Sequence, residues 1–309
     1  MAEVATAAAV PEVQASGARP GRVSVLVRGA LRWAGVLPFG AYVALGLGAP
    51  AVAIAIAAFQ DSNTNAATMS NLTAAFQGTY LTGLQNSLEL SLVCAVVPGI
   101  FGLLIAYAIF TAKRGNVLRR VVITASGVFA NFGGVPLAFL FIAALSTTGV
   151  VTGWIKDVSG VDIWNHGFTL YDVHGIFLAY LYFQTPLMVL IILPALEGLR
   201  PAWREAAHNM GASTWQYWRY VGGPVLFPSY LGCLLLLFGS SLSAYATAEA
   251  LTGGTVSLTS IQIGALLNGN VIAGQENLGY ALGLIMIVII AVVMLMYAFL
   301  QRRAARWLR

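Results

Sequence analysis

The chain has 309 residues, of which 59% are hydrophobic and 9% charged, against roughly 45–50% and about 25% in an ordinary soluble domain. A soluble fold has too little interior for that surplus, so composition points to a protein of the lipid bilayer. The net charge of +5 does not indicate nucleic acid, because the basic residues fall in short clusters between long apolar runs instead of on one folded face.

In chain order, residues 1–22 are Ala-rich with Pro11 and Pro20 and read as a disordered cytoplasmic tail. Residues 23–32 form a basic ramp, and no cleavable signal peptide fits that order. A helix needs about 20 apolar residues to cross roughly 30 Å of hydrocarbon. Six stretches meet that length, at about 33–59, 84–110, 120–145, 173–196, 225–249 and 278–300. The expected organisation is therefore a tail followed by one all-α transmembrane domain over 23–309. Pro38 and Pro50 should kink the first span, which neighbouring helices can accommodate. Between the third and fourth spans, Ser146 to Asp172 is more polar and reads as an external loop carrying a short helix. Cys94 and Cys233 lie inside apolar runs as small buried hydrophobes.

Lys and Arg accumulate in the cytoplasmic loops of membrane proteins. Arg19, Arg22, Arg28 and Arg32 precede span one, and Lys113, Arg114, Arg119 and Arg120 follow span two. Arg200, Arg204 and Arg219 follow span four, and Arg302, Arg303, Arg306 and Arg309 follow span six. Of the 16 basic residues only Lys156 falls in an alternate loop. Both termini are expected in the cytoplasm, which requires an even number of spans.

The loop after span four, Glu197 to Pro224, carries the sharpest signal. Pro201 suits a first helical turn, Glu205-Ala206-Ala207 continues a helix, and Gly211 ends it or lets another backbone approach. Ser213 or Thr214 can cap a second helix, which Pro224 stops before span five. The expected result is a helix-turn-helix on the cytoplasmic face.

These residues resemble the permeases of type I ABC importers, whose hallmark is Glu-Ala-Ala, three residues, Gly, nine residues, then Ile-x-Leu-Pro. Here Glu205-Ala206-Ala207 is followed at that spacing by Gly211 and then by Val221-Gly222-Gly223-Pro224, with Gly223 in place of the family Leu. The resemblance covers roughly Leu84 to Gln301. It implies the six-helix permease fold in the cell inner membrane. It also implies that the loop is a coupling helix seated on a cytoplasmic ATPase dimer, with Glu205 meeting a basic residue there and Gly211 permitting the turn. Arg204, Trp215 and Arg219 are neighbours by proximity. Further partners implied are a second permease, the same or a related chain, and an extracytoplasmic solute-binding protein. The chain would bind no cofactor of its own, ATP and Mg being held by the ATPase.

Other chemistry finds no footing. A phosphate-binding loop needs Gly-Lys, and the lysines here are Lys113 after Ala112 and Lys156 after Ile155. His166, His174 and His208 lack metal-ligand spacing, and no Gly-x-Ser-x-Gly elbow occurs, so the chain does not read as an enzyme. For the translocation path, Glu89 stands out as an ionisable group inside a span, with a structural carboxylate as the competing reading. Asn131-Phe132-Gly133-Gly134-Val135-Pro136 and Gln184-Thr185-Pro186 read as interruptions of spans three and four that open backbone to a cavity, or as proline kinks. Ser240 to Glu249, including Ser241, Tyr245 and Glu249, places hydroxyls in an apolar helix, for close packing or ligand contact. The pattern looks more like the polyamine, phosphonate and iron branch than the maltose-type branch, which suggests a polyamine or other small charged solute. A sugar importer is the nearest alternative. An ion-coupled secondary transporter would need midplane ionisable residues and internal repeats.

Overall fold

The computed structural model describes residues 37–62, 64, 66–112, 116–268 and 274–307. The expected tail over 1–22, the basic ramp and the basic residues Lys113, Arg114 and Arg309 lie outside them. Contacts divide the chain into a unit ending at Ala53 and a second beginning at Ile54, and the packing described below concerns the second.

The structure is almost entirely helical. Helix α1 covers Leu37–Ala58 with a π-helical turn at Ala44–Gly48. There follow α2 (Ser70–Ala75), α3 (Gly78–Thr111), α4 (Asn116–Asn131), α5 (Val135–Leu145), α6 (Val150–Ser159) and α7 (Val173–Glu197). Then come α8 (Pro201–Asn209), α9 (Thr214–Ser243), α10 (Ala246–Thr252), α11 (Thr259–Leu267) and α12 (Glu276–Trp307). Six helical segments among the described residues are long and apolar enough to cross a membrane: α1, α3, the α5–α6 segment Val135–Ser159, α7, α9 and Glu276–Phe299 of α12.

Helix α7 is the centre, packing on α3, α4 and α9. One cluster joins Ala106, Met188, Ile192, Leu196 and Leu237 of α3, α7 and α9. A second joins Leu137, Ile176, Tyr180 and Leu251 of α5, α7 and α10, and a third holds α2, α3, α11 and α12 together through Leu84, Leu266 and Leu282. With no hydrophobic drive between helices in lipid, small residues set the approach. At Gly102 of α3 a Cβ would lie 2.5 Å from the Met188 Cβ of α7, so only glycine allows this contact. Outward-facing side chains such as Leu92, Leu104, Leu295 and Phe299 are exposed, as an apolar surrounding requires.

The two ends of the bundle differ in charge. Arg119 at the start of α4 pairs with Glu197 at the end of α7, and the Tyr297 hydroxyl of α12 donates to the Pro228 carbonyl of α9 at 3.1 Å. Arg200, Arg204 and Arg219 therefore share one end. The opposite end carries Asp172, which caps α7 by accepting from the backbone N–H of His174 and Gly175. There also Lys156 donates to Asp162 at 3.2 Å and holds its carboxyl below the usual range.

Three expectations need correction. The third crossing, expected over 120–145, is displaced: the helix breaks between Asn131 and Val135, where the sequence marked an interruption. The segment long and apolar enough to cross a membrane is Val135–Ser159, with α4 (Asn116–Asn131) before it and α6 taken from the expected loop. Gln184-Thr185-Pro186 does not interrupt α7, which runs through Pro186 and Pro194, because packed neighbours compensate for a lost helical bond in a membrane helix. The fifth span, expected to reach 249, ends at Ser243, and Glu249 sits on the separate α10.

Candidate functional site

The loop between α7 and α9 is built by local rules. Pro201 opens α8 at its first turn. Gly211 follows the helix with φ +79. Its N–H donates to the His208 carbonyl at 2.9 Å, and the Ala212 N–H donates to the Ala207 carbonyl at 3.0 Å. This is the Schellman arrangement, in which a left-handed residue after the helix satisfies its orphan carbonyls. Ser213 then caps the next helix reciprocally: its Oγ accepts from the Gln216 N–H at 3.3 Å, and Gln216 Oε1 accepts from the Ser213 N–H at 2.7 Å.

Pro224 does not stop that helix, as the sequence suggested. A π-helical turn at Trp218–Gly222 widens the coil and α9 continues past the proline. Gly223, the departure from the family Leu, now has a physical reason. Its N–H bonds to the Trp218 carbonyl, and a Cβ there would sit 2.4 Å from that oxygen.

The orientation of α8 decides what the loop can touch. Ala207 is buried while Arg204, Glu205, Ala206 and His208 are exposed. At about 100° per residue, Glu205 points about 160° away from Ala207, with Ala202 and Asn209 on the same outer stripe. Arg204, also exposed, lies about 60° from Ala207 and about 100° from Glu205, and lines a cavity together with Tyr217 and Trp218. Trp215 is 71% exposed. Arg219 is exposed, with its guanidinium 5.8 Å from the Tyr220 ring centre.

A second site forms where two helix breaks meet. The Gly134 N–H, between α4 and α5, donates to Thr247 Oγ1 at 2.8 Å, and that hydroxyl lies 3.3 Å from the Gly134 carbonyl. The other break, at Ala244 and Tyr245 between α9 and α10, is held by the Tyr180 hydroxyl, which donates to the Ala244 carbonyl at 2.8 Å. Beside them opens a cavity of about 400 Å³ lined by Asn131, Gly133, Phe183, Ser240, Tyr245 and Thr247, among others. None of the lining residues is charged, so the cavity offers amide, hydroxyl and backbone groups to a solute.

The structure brings Asn131 and Tyr245 to this cavity and leaves the other four path candidates outside its lining. Gln184 and Ser241 are buried within the chain, Gln184 Nε2 donating to Ser241 Oγ and, at 3.2 Å, to the Leu237 carbonyl. They clamp α7 to α9. Glu249 is half-buried, its carboxylate lying over Gly254. Glu89 is exposed on α3, about 16 Å from the helix start at Gly78 instead of the roughly 8 Å that a start at 84 gives. Ser240 and Thr247, which the sequence offered within the run Ser240 to Glu249 for either packing or ligand contact, do line the cavity.

The clamp has a measurable worth. Interhelical hydrogen bonds in membranes contribute about 0.6–1.7 kcal/mol, so Gln184→Leu, which keeps the bulk, is expected to lose that much stability while still inserting. Thermal unfolding in detergent checks it, and an unchanged midpoint would remove the clamp.

Residues 98–306 match the family described as binding-protein-dependent transport system inner membrane component. Similar curated proteins include the ferric transport system permease protein of Actinobacillus pleuropneumoniae, 27% identical over 221 residues, 69% of this chain and 30% of that protein. The thiamine transport system permease protein of Escherichia coli is 26% identical over 212 residues, 67% of this chain and 38% of its own. The sulfate transport system permease protein of Escherichia coli is 29% identical over 166 residues, 52% and 55% of the two chains. This chain thus spans well under two thirds of the length of these relatives. Two crystal structures of a bacterial ABC transporter that imports alginate align with TM-scores of 0.70 and 0.71 at 19% identity. They cover 91% and 90% of this chain and 98% and 96% of theirs. At that identity the likeness concerns the fold alone.

Proposed function

This chain belongs to the family of binding-protein-dependent transport system inner membrane components, and from that premise we propose that it is the permease subunit of an ATP-driven importer whose α8 docks on a separate cytoplasmic ATPase. The observation that carries the reading is the outward stripe of Ala202, Glu205 and Asn209 on α8, opposite the buried Ala207. A short helix whose single carboxylate points away from the bundle is placed to meet a basic groove on another chain. ATP and Mg, held by an ATPase dimer, drive closure of that dimer. α8 moves with it, and the permease changes between inward-open and outward-open forms as a rigid body biased by ligand.

The cavity at the meeting of the two breaks is the proposed translocation site. Its volume of about 400 Å³ lies at the small end of the range of ligand pockets, which favours a small solute handed over by an extracytoplasmic binding protein. The relatives are named for ferric iron, thiamine and sulfate transport, all small charged solutes, and a polyamine-like cation belongs to that class. A second permease, the same or a related chain, would close the path from the other side. The arginine-bearing end is the proposed cytoplasmic side.

Reconstitution with its ATPase and binding protein tests this reading: loaded binding protein is expected to stimulate ATP hydrolysis several-fold. A cysteine at His208 should react only from the inside and one at Trp164 only from the outside. Labelling of position 208 from outside would reverse the assignment.

A further inference from the structure

At the arginine-bearing end two cavities share a wall. The first, about 430 Å³, is lined by Leu103, Leu104, Trp215 and Phe227 with Tyr107 and Trp218, and presents almost nothing polar. The second, about 450 Å³, also uses Tyr107 and Trp218 and adds Arg200, Arg204 and Thr111. The pair is amphipathic, an apolar slot running into a basic one.

Three observations say what fits. Leu104 and Phe227 are 57% and 56% exposed, so the apolar slot opens on faces of α3 and α9 that an apolar neighbour has to cover. Its Trp and Tyr walls stand where apolar helices give way to arginines, the level at which such rings collect in membrane proteins. Among the described residues neither Arg200 nor Arg204 is paired with a carboxylate. Arg200 instead lies 5.8 Å from the Trp203 ring centre, while the nearby Arg119 is neutralised by Glu197. Both arginines line the polar slot, and Arg204 lies about 100° round α8 from Glu205.

We propose that these two cavities together hold one anionic phospholipid of the adjoining leaflet, an acyl chain in the apolar slot and the phosphate against Arg200 and Arg204. Basic pockets between helices on the cytoplasmic side suit such headgroups. The site is independent of the solute cavity and of the docking stripe.

The test uses the full chain in mixed micelles with phosphatidylglycerol or phosphatidylcholine carrying brominated acyl chains, read by quenching of tryptophan fluorescence, since Trp215 and Trp218 line the slot. Each arginine near a membrane surface adds about fivefold to anionic preference, so phosphatidylglycerol should quench at roughly 30-fold lower concentration at low salt. The difference should shrink at high salt. Arg200→Gln/Arg204→Gln should abolish it, and Arg200→Lys/Arg204→Lys should keep most of it. Equal quenching by the two lipids in the wild-type chain overturns the proposal without recourse to any variant. So does a glutamine variant that keeps the preference but no longer retains the ATPase, which would assign the arginines to protein docking.

Discussion

A Glu205→Lys variant is expected to insert with all six spans and to lose both retention of the ATPase and stimulated ATP hydrolysis. Glu205 is exposed and points away from the buried side of α8, so it makes no contact on which the fold depends. Reversing its charge against a basic groove sets like charges together at an interface, which costs several kcal/mol. Each 1.4 kcal/mol is about tenfold in affinity, so ATPase binding should weaken at least about a hundredfold. Pull-down of the ATPase and hydrolysis in proteoliposomes read the two effects. Wild-type retention by this variant would remove Glu205 from the contact.

Gly211→Val should fail for a different reason. Gly211 holds φ +79, and a Cβ there would meet nothing within 4 Å, so the penalty is conformational and not a clash within the chain. A β-branched residue is a genuine outlier at positive φ, and the left-handed conformation costs about 1–2 kcal/mol even for ordinary residues. Release of that strain would undo the bonds from Gly211 and Ala212 to α8 and turn α8 relative to α9. Stimulated hydrolysis is expected to fall about tenfold, whereas Gly211→Asn, which tolerates this conformation, should keep most of it. Equal loss in both variants would point to side-chain bulk at the interface instead of backbone geometry.

What could be read from sequence followed from rules that act locally. Length and apolarity identify the long membrane helices without reference to packing. Gly211 is legible as a helix stop because the Schellman turn needs a left-handed residue, and Gly133-Gly134 followed by Pro136 marks the break between α4 and α5. The break at Ala244 and Tyr245 has no glycine or proline to announce it. It exists because Tyr180, 64 residues away in sequence, donates to the Ala244 carbonyl, while Thr247 turns to Gly134. Both are tertiary bonds that no window of sequence contains. Pro186 and Pro224 mislead for the opposite reason: each signals interruption, yet α7 packs through the first and a π-turn absorbs the second. Gln184 looks like a pore residue by type, but its place between α7 and α9 makes it a clamp.

The central claim is that the outer stripe of α8 is the surface that meets the ATPase, and site-specific photo-crosslinking tests it most directly. A photoreactive side chain is placed in turn at Ala202, Glu205, Asn209, Arg204 and Trp203 in the assembled complex. The account predicts crosslinks to the ATPase from 202, 205 and 209 and far fewer from 203 and 204, which lie within about 60° of the buried Ala207. Crosslinks absent from all three outer positions, or spread equally around the helix, would contradict it.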